Sequence, residues 1–113
     1  MLKIDTMYKK GILFIRLYGV INKNNIKEIN EVLERTIEKV GIKYLLLNFE
    51  NVYYISSNIS SLIEKWSKRL IERNGKFFVC KYDEIAKSNF LKINTDEVLE
   101  MQDEVSVFNK VNI

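Results

Sequence analysis

A continuous apolar run in the middle of the chain, Tyr44-Leu-Leu-Leu-Asn-Phe49, constrains the fold more than any other feature. A strand this apolar is covered on both faces, which is typical of the inner strands of a parallel sheet. The apolar residues before and after it recur at steps of three and four, which is the period of an amphipathic helix. The sequence therefore predicts a parallel central strand with a helix on either side of it along the chain.

The two flanking helices are defined by their apolar stripes and their ends. The first is predicted to begin with Asn24 or Asn25 as its N-cap and to stop at Gly41. The second is predicted to begin at Ser57, after a short turn, and to end at Asn74-Gly75. The stripes comprise Ile26, Ile29, Leu33, Ile37 and Val40 in the first helix, and Ile59, Leu62, Ile63, Trp66 and Leu70 in the second.

The rest of the chain alternates further strands and helices. Two strands joined by Lys9-Lys10-Gly11 predict an antiparallel hairpin, with Gly19 ending its second strand. The order of strands and helices along the chain predicts one α/β domain over residues 1–113. This domain would have a mixed sheet with an N-terminal antiparallel hairpin and about four helices packed on it. The remaining predicted elements are strands Leu2 to Tyr8, Ile12 to Tyr18, Lys76 to Cys80 and Val98 to Met101, and helices Asp83 to about Asn89 and Asp103 to Val111.

Composition excludes several classes of function. The chain has no histidine and one cysteine, Cys80, so metal sites and nucleophile–histidine pairs lose their usual side chains, and we expect neither catalysis nor a cofactor. Its net charge of +3 comes from interleaved acidic and basic residues, which does not favour nucleic acid. It has no long apolar run for membrane insertion and no signal peptide at its start, so we expect a cytoplasmic protein in which Cys80 packs in the core.

Four segments, in this order along the chain, resemble one family. Phe14 to Asn22 is similar to a strand ending in Gly-Glu-Leu-Asp, and Leu45 to Val52 to a Leu-Val-Leu-Asp/Asn-Leu-x-x-Val strand. Ile55-Ser-Ser-Asn58 stands where the family has Asp-Ser-Ser/Thr-Gly, and Glu100 to Val105 is similar to its last strand and capped final helix. The family is the STAS domain, and specifically the anti-sigma factor antagonists of bacteria. The resemblance implies a regulator of transcription that works by protein–protein interaction.

In that family the second hydroxyl of the motif is phosphorylated, which implies Ser57 as the acceptor here. The implied partner is an anti-sigma factor that is also a serine kinase of the histidine-kinase-like ATPase class, and a serine phosphatase would reverse the modification. The unmodified protein would bind the anti-sigma factor and so release a sigma factor. The partner-binding residues implied by the resemblance are Asn22, Lys23, Asn24, Ser56, Ser57, Asn58, Ser60 and Ser61.

Three positions differ from the family's pattern. Ile55 replaces the motif's acid, Asn58 its glycine and Asn22 the acid of the earlier loop. Loss of the acid removes a charge and a hydrogen-bond acceptor beside Ser57, which favours altered recognition by a kinase. An alternative is therefore a STAS subunit of a transporter or signalling complex without phosphorylation, and a further one is a small-ligand or nucleotide binder.

The two serines of the motif also have a purely structural interpretation. A serine at the start of a helix accepts a hydrogen bond from a free backbone N–H, which stabilises the helix by about 1 kcal/mol. We expect either Ser56 or Ser57 to cap the second helix in this way. Such a cap leaves the hydroxyl of the other serine open to modification.

Overall fold

The computed structural model describes residues 1–91 and 96–111. In the described part, five strands form one sheet in chain order, with the first pair antiparallel and the others parallel. This confirms the mixed α/β fold, the N-terminal hairpin and the parallel central strand. The elements are strands β1 (Leu2–Lys9), β2 (Ile12–Ile21), β3 (Tyr44–Ile55), β4 (Lys76–Cys80) and β5 (Val98–Met101), and helices α1 (Ile26–Glu34), α2 (Asn58–Glu72) and α3 (Tyr82–Ser88).

Strands β2 and β3 are both longer than predicted. Gly19 does not end β2; the strand continues through an irregularity in register to Ile21, and this extra length pairs with β3. The turn predicted after Phe49 is therefore strand up to Ile55. The extension is amphipathic, because Val52 and Ile55 are buried while the residues between them are exposed.

Both predicted helical stripes are largely buried, and the exception has a local cause. Every predicted stripe residue of α2 is buried, whereas Val40 near the end of the first helix is 66% exposed. The chain forms wider π-helical turns over Arg35–Val40, which shift the phase of the stripe and turn Val40 outward. The helical segment ends at Gly41 with φ of 85°, as its sequence predicts.

The predicted terminal helix over Asp103 to Val111 is wrong in type. The chain forms a short 3₁₀ helix over Val105–Asn109, so three α-helices are present in the described residues instead of about four. Asp103 still stabilises the start of this segment, because its Oδ1 accepts a hydrogen bond of 2.8 Å from the backbone N–H of Ser106. Val107 and Val111 from this segment are buried against the sheet.

The sheet buries apolar side chains on both faces. The helices cover one face, and the C-terminal segment covers the other, where Phe14, Leu46 and Phe78 are nearly inaccessible to solvent. Cys80 belongs to this second cluster, and burial raises the pKa of its thiol to about 12. This confirms that Cys80 is a core residue. None of the helices in the described residues is long and apolar enough to cross a membrane.

Candidate functional site

The loop after β2 and the start of α2 lie side by side at one edge of the sheet. Strands β2 and β3 are parallel, so both reach this edge at their carboxyl ends, where Ile21 pairs with Ile55. The backbone N–H of Ser56 then donates a hydrogen bond of 2.9 Å to the carbonyl of Ile21. This places the Asn22 loop next to the Ser56 to Ser61 segment, so the two predicted parts of the site are neighbours.

The two serines of the motif have different roles at the helix start. The Oγ of Ser56, the residue before the N-cap, accepts a hydrogen bond of 3.2 Å from the backbone N–H of Asn58, the first residue of α2, and so satisfies one free donor of the helix start. Ser57 occupies the N-cap position but makes no side-chain capping bond, and it is exposed. The side-chain hydrogen bond at the helix start therefore involves Ser56, and the Ser57 hydroxyl is left at the surface.

The next residues of α2 are partly committed to local structure. Ser60 is half-buried and its hydroxyl donates a hydrogen bond of 2.9 Å to the backbone carbonyl of Ser57. Asn58 and Ser61 are exposed. Among these residues, Asn58 and Ser61 therefore present accessible polar groups to a partner.

The Asn22 to Asn25 loop is held by its own asparagines. The Oδ1 of Asn22 accepts hydrogen bonds of 2.9 Å from the backbone N–H groups of Asn24 and Asn25. The Oδ1 of Asn25 accepts a hydrogen bond from the backbone N–H of Asn22, and its Nδ2 donates one to the carbonyl of Val20. Asn25 is the N-cap residue of α1, as predicted, but its side chain makes no capping bond to the helix. Lys23 and Asn24 are exposed at the surface of the loop.

A cleft of about 630 Å³ separates the N-terminal halves of α1 and α2, and we call it the α1–α2 cleft. The indole N–H of Trp66 donates a hydrogen bond of 2.8 Å to Oδ1 of Asn30, which ties the two helices together beside the cleft. Sequence reasoning found the α2 side of this cleft but missed its α1 side. The lining residues are Ile26, Lys27, Asn30, Ser57, Asn58, Ser61, Leu62 and Lys65.

A second polar cluster, absent from the sequence prediction, lies on the opposite face of the sheet, where Arg16 of β2 is paired in register with Asn48 of β3. Arg16 donates two hydrogen bonds of 2.8 Å to the carboxylate of Glu104, which also accepts one of 2.9 Å from the side chain of Asn48. The hydrogen bond from Arg16 holds the pKa of Glu104 below its usual value. In the sequence, the arginine inside an otherwise apolar strand indicates that a polar partner is needed. That partner could not be identified from the sequence because it lies 88 residues away.

We predict that Glu104→Gln destabilises the protein by about 1 kcal/mol at pH 7, because a half-exposed Arg16 loses its charged partner. The pKa of Glu104 is lower in the folded state, so its stabilisation exists above the unfolded pKa and is lost as the pH falls through the folded one. The difference from wild type should therefore shrink on acidification. Urea unfolding at several pH values measures the difference in the free energy of unfolding. Glu64→Gln is the control, because it removes one partner of an exposed ion pair and should change the stability little.

A family model described as the STAS domain matches residues 3–111 of the chain. The chain belongs to the STAS family. The match spans all five strands apart from Leu2, the three α-helices of the described residues and the Ser56 to Ser61 helix start, so the family assignment predicted from the sequence is confirmed.

Solved structures described as anti-sigma factor antagonists or as SpoIIAA share this fold at low sequence identity. The anti-sigma factor antagonist SpoIIAA in its unphosphorylated form is 14% identical, with a TM-score of 0.71 over 97% of this chain and 96% of that one. SpoIIAA of Bacillus in its phosphorylated form gives 14% identity and a TM-score of 0.70, over 98% and 100% of the two chains. A Thermotoga maritima protein assigned to the same class gives 13% identity and a TM-score of 0.78, over 96% and 93%.

Proposed function

We propose that this STAS protein is a non-catalytic cytoplasmic regulator, a single domain over residues 1–113, that binds an anti-sigma factor and so releases a sigma factor. Its binding surface would be the exposed rim formed by Lys23, Asn24 and the start of α2. Support comes from the STAS family match and from neighbours described as anti-sigma factor antagonists. The adjacency of the two chain segments, joined by the hydrogen bond from Ser56 to Ile21, supports a single continuous surface.

The observation that carries the regulatory part is the state of Ser57. Its hydroxyl is exposed and makes no side-chain capping bond, whereas the neighbouring Ser56 is engaged with Asn58. Ser57 is therefore the more accessible hydroxyl of the pair for a kinase. A phosphate there would lie at the start of a 15-residue helix, where backbone N–H groups and the helix dipole favour a negative group.

Phosphorylation would act on the partner and leave the fold intact. A phosphoserine carries about two negative charges at neutral pH and a much larger volume than a hydroxyl. Because Ser57 is at the surface, these groups meet solvent and the docked partner, and no core contact is lost. Dephosphorylation by a serine phosphatase would restore the binding surface.

Purification of the tagged full chain from its native host tests the proposal. Recovery of a histidine-kinase-like ATPase, followed by transfer of one phosphate from ATP to Ser57, is the expected result. Phosphate mapped to Ser56 or Ser60 would contradict the assignment of the acceptor. Recovery of a permease or scaffold protein instead, with no kinase, would contradict the antagonist function.

We predict that Ser57→Glu weakens binding of that kinase at least tenfold with little change in melting temperature. An acidic group suits a helix N-terminus but disturbs a docked surface. Ser57→Ala should keep both affinity and stability, and Ser56→Ala should lose about 1 kcal/mol of stability with its hydrogen bond from Asn58. Calorimetric titration and thermal unfolding of the three variants measure both quantities; equal losses for Ser57→Glu and Ser57→Ala would indicate a different role for this serine.

A second function is favoured by two observations at the motif. Ile55, in place of the family's acid, is only 1% exposed, and the side-chain oxygen of Asn22 accepts two hydrogen bonds within its own loop. Neither residue presents a charge to a kinase. The alternative function is a STAS interaction subunit of a transporter or signalling complex that is never phosphorylated.

A further inference from the structure

The α1–α2 cleft carries charge of one sign. Its two charged lining residues are both lysines, Lys27 on α1 and Lys65 on α2. The other polar groups that line it are hydroxyls and amides, from Asn30, Ser57, Asn58 and Ser61, and its apolar part comes from Ile26 and Leu62. A concave surface with two cations and several hydrogen-bonding groups is complementary to carboxylates.

These two lysines differ from the other cations of α2. Lys68 pairs with Glu64 at 3.1 Å, and Arg69 pairs with Glu38 at 2.5 Å. Within the described residues, neither Lys27 nor Lys65 has a carboxylate within 4.0 Å. The other cations on this face of α2 are thus paired with carboxylates of the same chain. The two lysines of the cleft are available to another molecule.

The position of Lys65 is fixed by its neighbours. Its ammonium lies 4.8 Å from the centre of the Trp66 ring, and Trp66 is itself held by Asn30. The pKa of Glu38 is lowered mainly by the hydrogen bond from Arg69, with smaller contributions from Arg73 and Lys65. Glu38 forms its ion pairs with Arg69 and Arg73 and interacts with Lys65 only at longer range, so the ammonium group of Lys65 is left without a direct carboxylate partner among the described residues.

We propose that the α1–α2 cleft binds an acidic segment of the partner protein, with Lys27 and Lys65 contacting its carboxylates. A peptide segment complements both parts of the lining, because its carboxylates would contact the two lysines and its apolar side chains would contact Ile26 and Leu62. This inference deepens the proposed function and rests on it for the identity of the partner.

The same cleft gives phosphorylation of Ser57 a defined effect. Ser57, Ser61 and Lys65 follow one another at intervals of four residues, so they share one face of α2. A phosphate on Ser57 would place an anion within the cleft at high effective concentration. It would neutralise the lysines and repel the partner's carboxylates, so that the modified protein releases its partner.

The inference is tested first with the full chain alone. The ¹⁵N-labelled protein is titrated with an octaglutamate peptide at low ionic strength, and an octaglutamine peptide serves as the uncharged control. Backbone amide shifts are expected at residues 26–30 and 57–65, and they should disappear at about 1 M salt, where charges are screened over a few ångströms. Shifts concentrated at the basic hairpin, Lys9-Lys10, would overturn the proposal.

Variants separate the cleft from general surface charge. Lys27→Gln with Lys65→Gln should weaken the octaglutamate interaction about tenfold, because two charge contacts are lost. The matched control is Lys68→Gln, which removes a cation of the same helix that already has a partner, and it should leave the affinity nearly unchanged. Equal losses in both variants would overturn the assignment to the cleft.

Two further measurements complete the test. Inorganic phosphate producing the same shifts at a lower concentration than the peptide would assign the cleft to a small anion and overturn the proposal, as would self-association through the cleft in sedimentation. With the co-purified kinase, the double lysine variant should bind at least tenfold more weakly. If the double lysine variant binds the kinase as tightly as wild type does, the inference about the cleft is refuted and the proposed function stands. If the peptide binds in the cleft but no kinase co-purifies with the protein, only the proposed function is refuted.

Discussion

Replacing Ile55 with aspartate should destabilise the protein by about 4 kcal/mol at pH 7. Ile55 is 1% exposed and belongs to the core cluster beneath the helices. The change removes a buried aliphatic side chain and puts in its place a carboxyl group that has no hydrogen-bond or charge partner. The lost packing and the buried polar group each cost about 2 kcal/mol or more. Chemical unfolding of wild type and variant measures the difference.

Two further variants at this position separate lost packing from buried charge. Ile55→Val should cost about 1 kcal/mol, because it removes a single methylene group. Ile55→Asn is uncharged and similar in shape to aspartate, so its deficit should not depend on pH. Burial raises the pKa of the new carboxyl group, so Ile55→Asp should lose stability as the pH rises from 4 to 7. An aspartate variant as stable as Ile55→Val would show that this position tolerates an acid.

The same position shows why the sequence alone is insufficient to interpret the departure from the family motif. In the sequence, Ile55 stands in a short turn at the position where the family has an acid. That difference favours loss of the kinase switch and suggests Ile55→Asp as a test of it. In the structure Ile55 is the last residue of β3, buried and paired with Ile21. Restoring the acid would therefore perturb the fold along with the motif, and Ser57 variants are the cleaner test of the switch.

The parts of the fold that could be predicted are those with a local period. The apolar run of β3 and the stripe of α2 each repeat within a few residues, so the central strand and Trp66 were placed correctly. The extension of β3 was missed because its alternation depends on β2 continuing past Gly19 to pair with it. The terminal segment was predicted as an α-helix over Asp103 to Val111, but the chain forms only a short 3₁₀ helix there, over Val105–Asn109.

The site was predictable to the same extent. Ser57 and Asn22 are marked by their place after apolar strands, and both lie at the expected edge of the sheet. Lys27 gives no local signal, because an exposed lysine on an amphipathic helix is ordinary until the facing helix is known. The contact between Arg16 and Glu104 joins residues far apart in sequence, so no pattern in either segment indicates it.

Gly75→Ala should destabilise the protein by about 3 kcal/mol, which for a chain of this size lowers the melting temperature by about 10 °C. A Cβ on this buried glycine would lie 2.1 Å from the carbonyl oxygen of Lys43 and 3.1 Å from that of Leu70. Both atoms belong to the backbone and both are held, since Lys43 accepts a hydrogen bond of 2.9 Å from Lys76 and Leu70 one of 2.7 Å from Gly75 itself. Neither can move without separating α2 from the start of β3.

Gly41→Ala is the matched control because it isolates the cost of backbone conformation. Gly41 has φ of 85°, and a Cβ there would have no heavy atom within 4 Å, so the expected cost is about 1 kcal/mol from the left-handed conformation alone. Gly75 is not in that region, so its larger loss must come from the close approach to Lys43. Equal melting temperatures for the two alanine variants would mean that the backbone at the junction between α2 and β4 yields readily to the added methyl group.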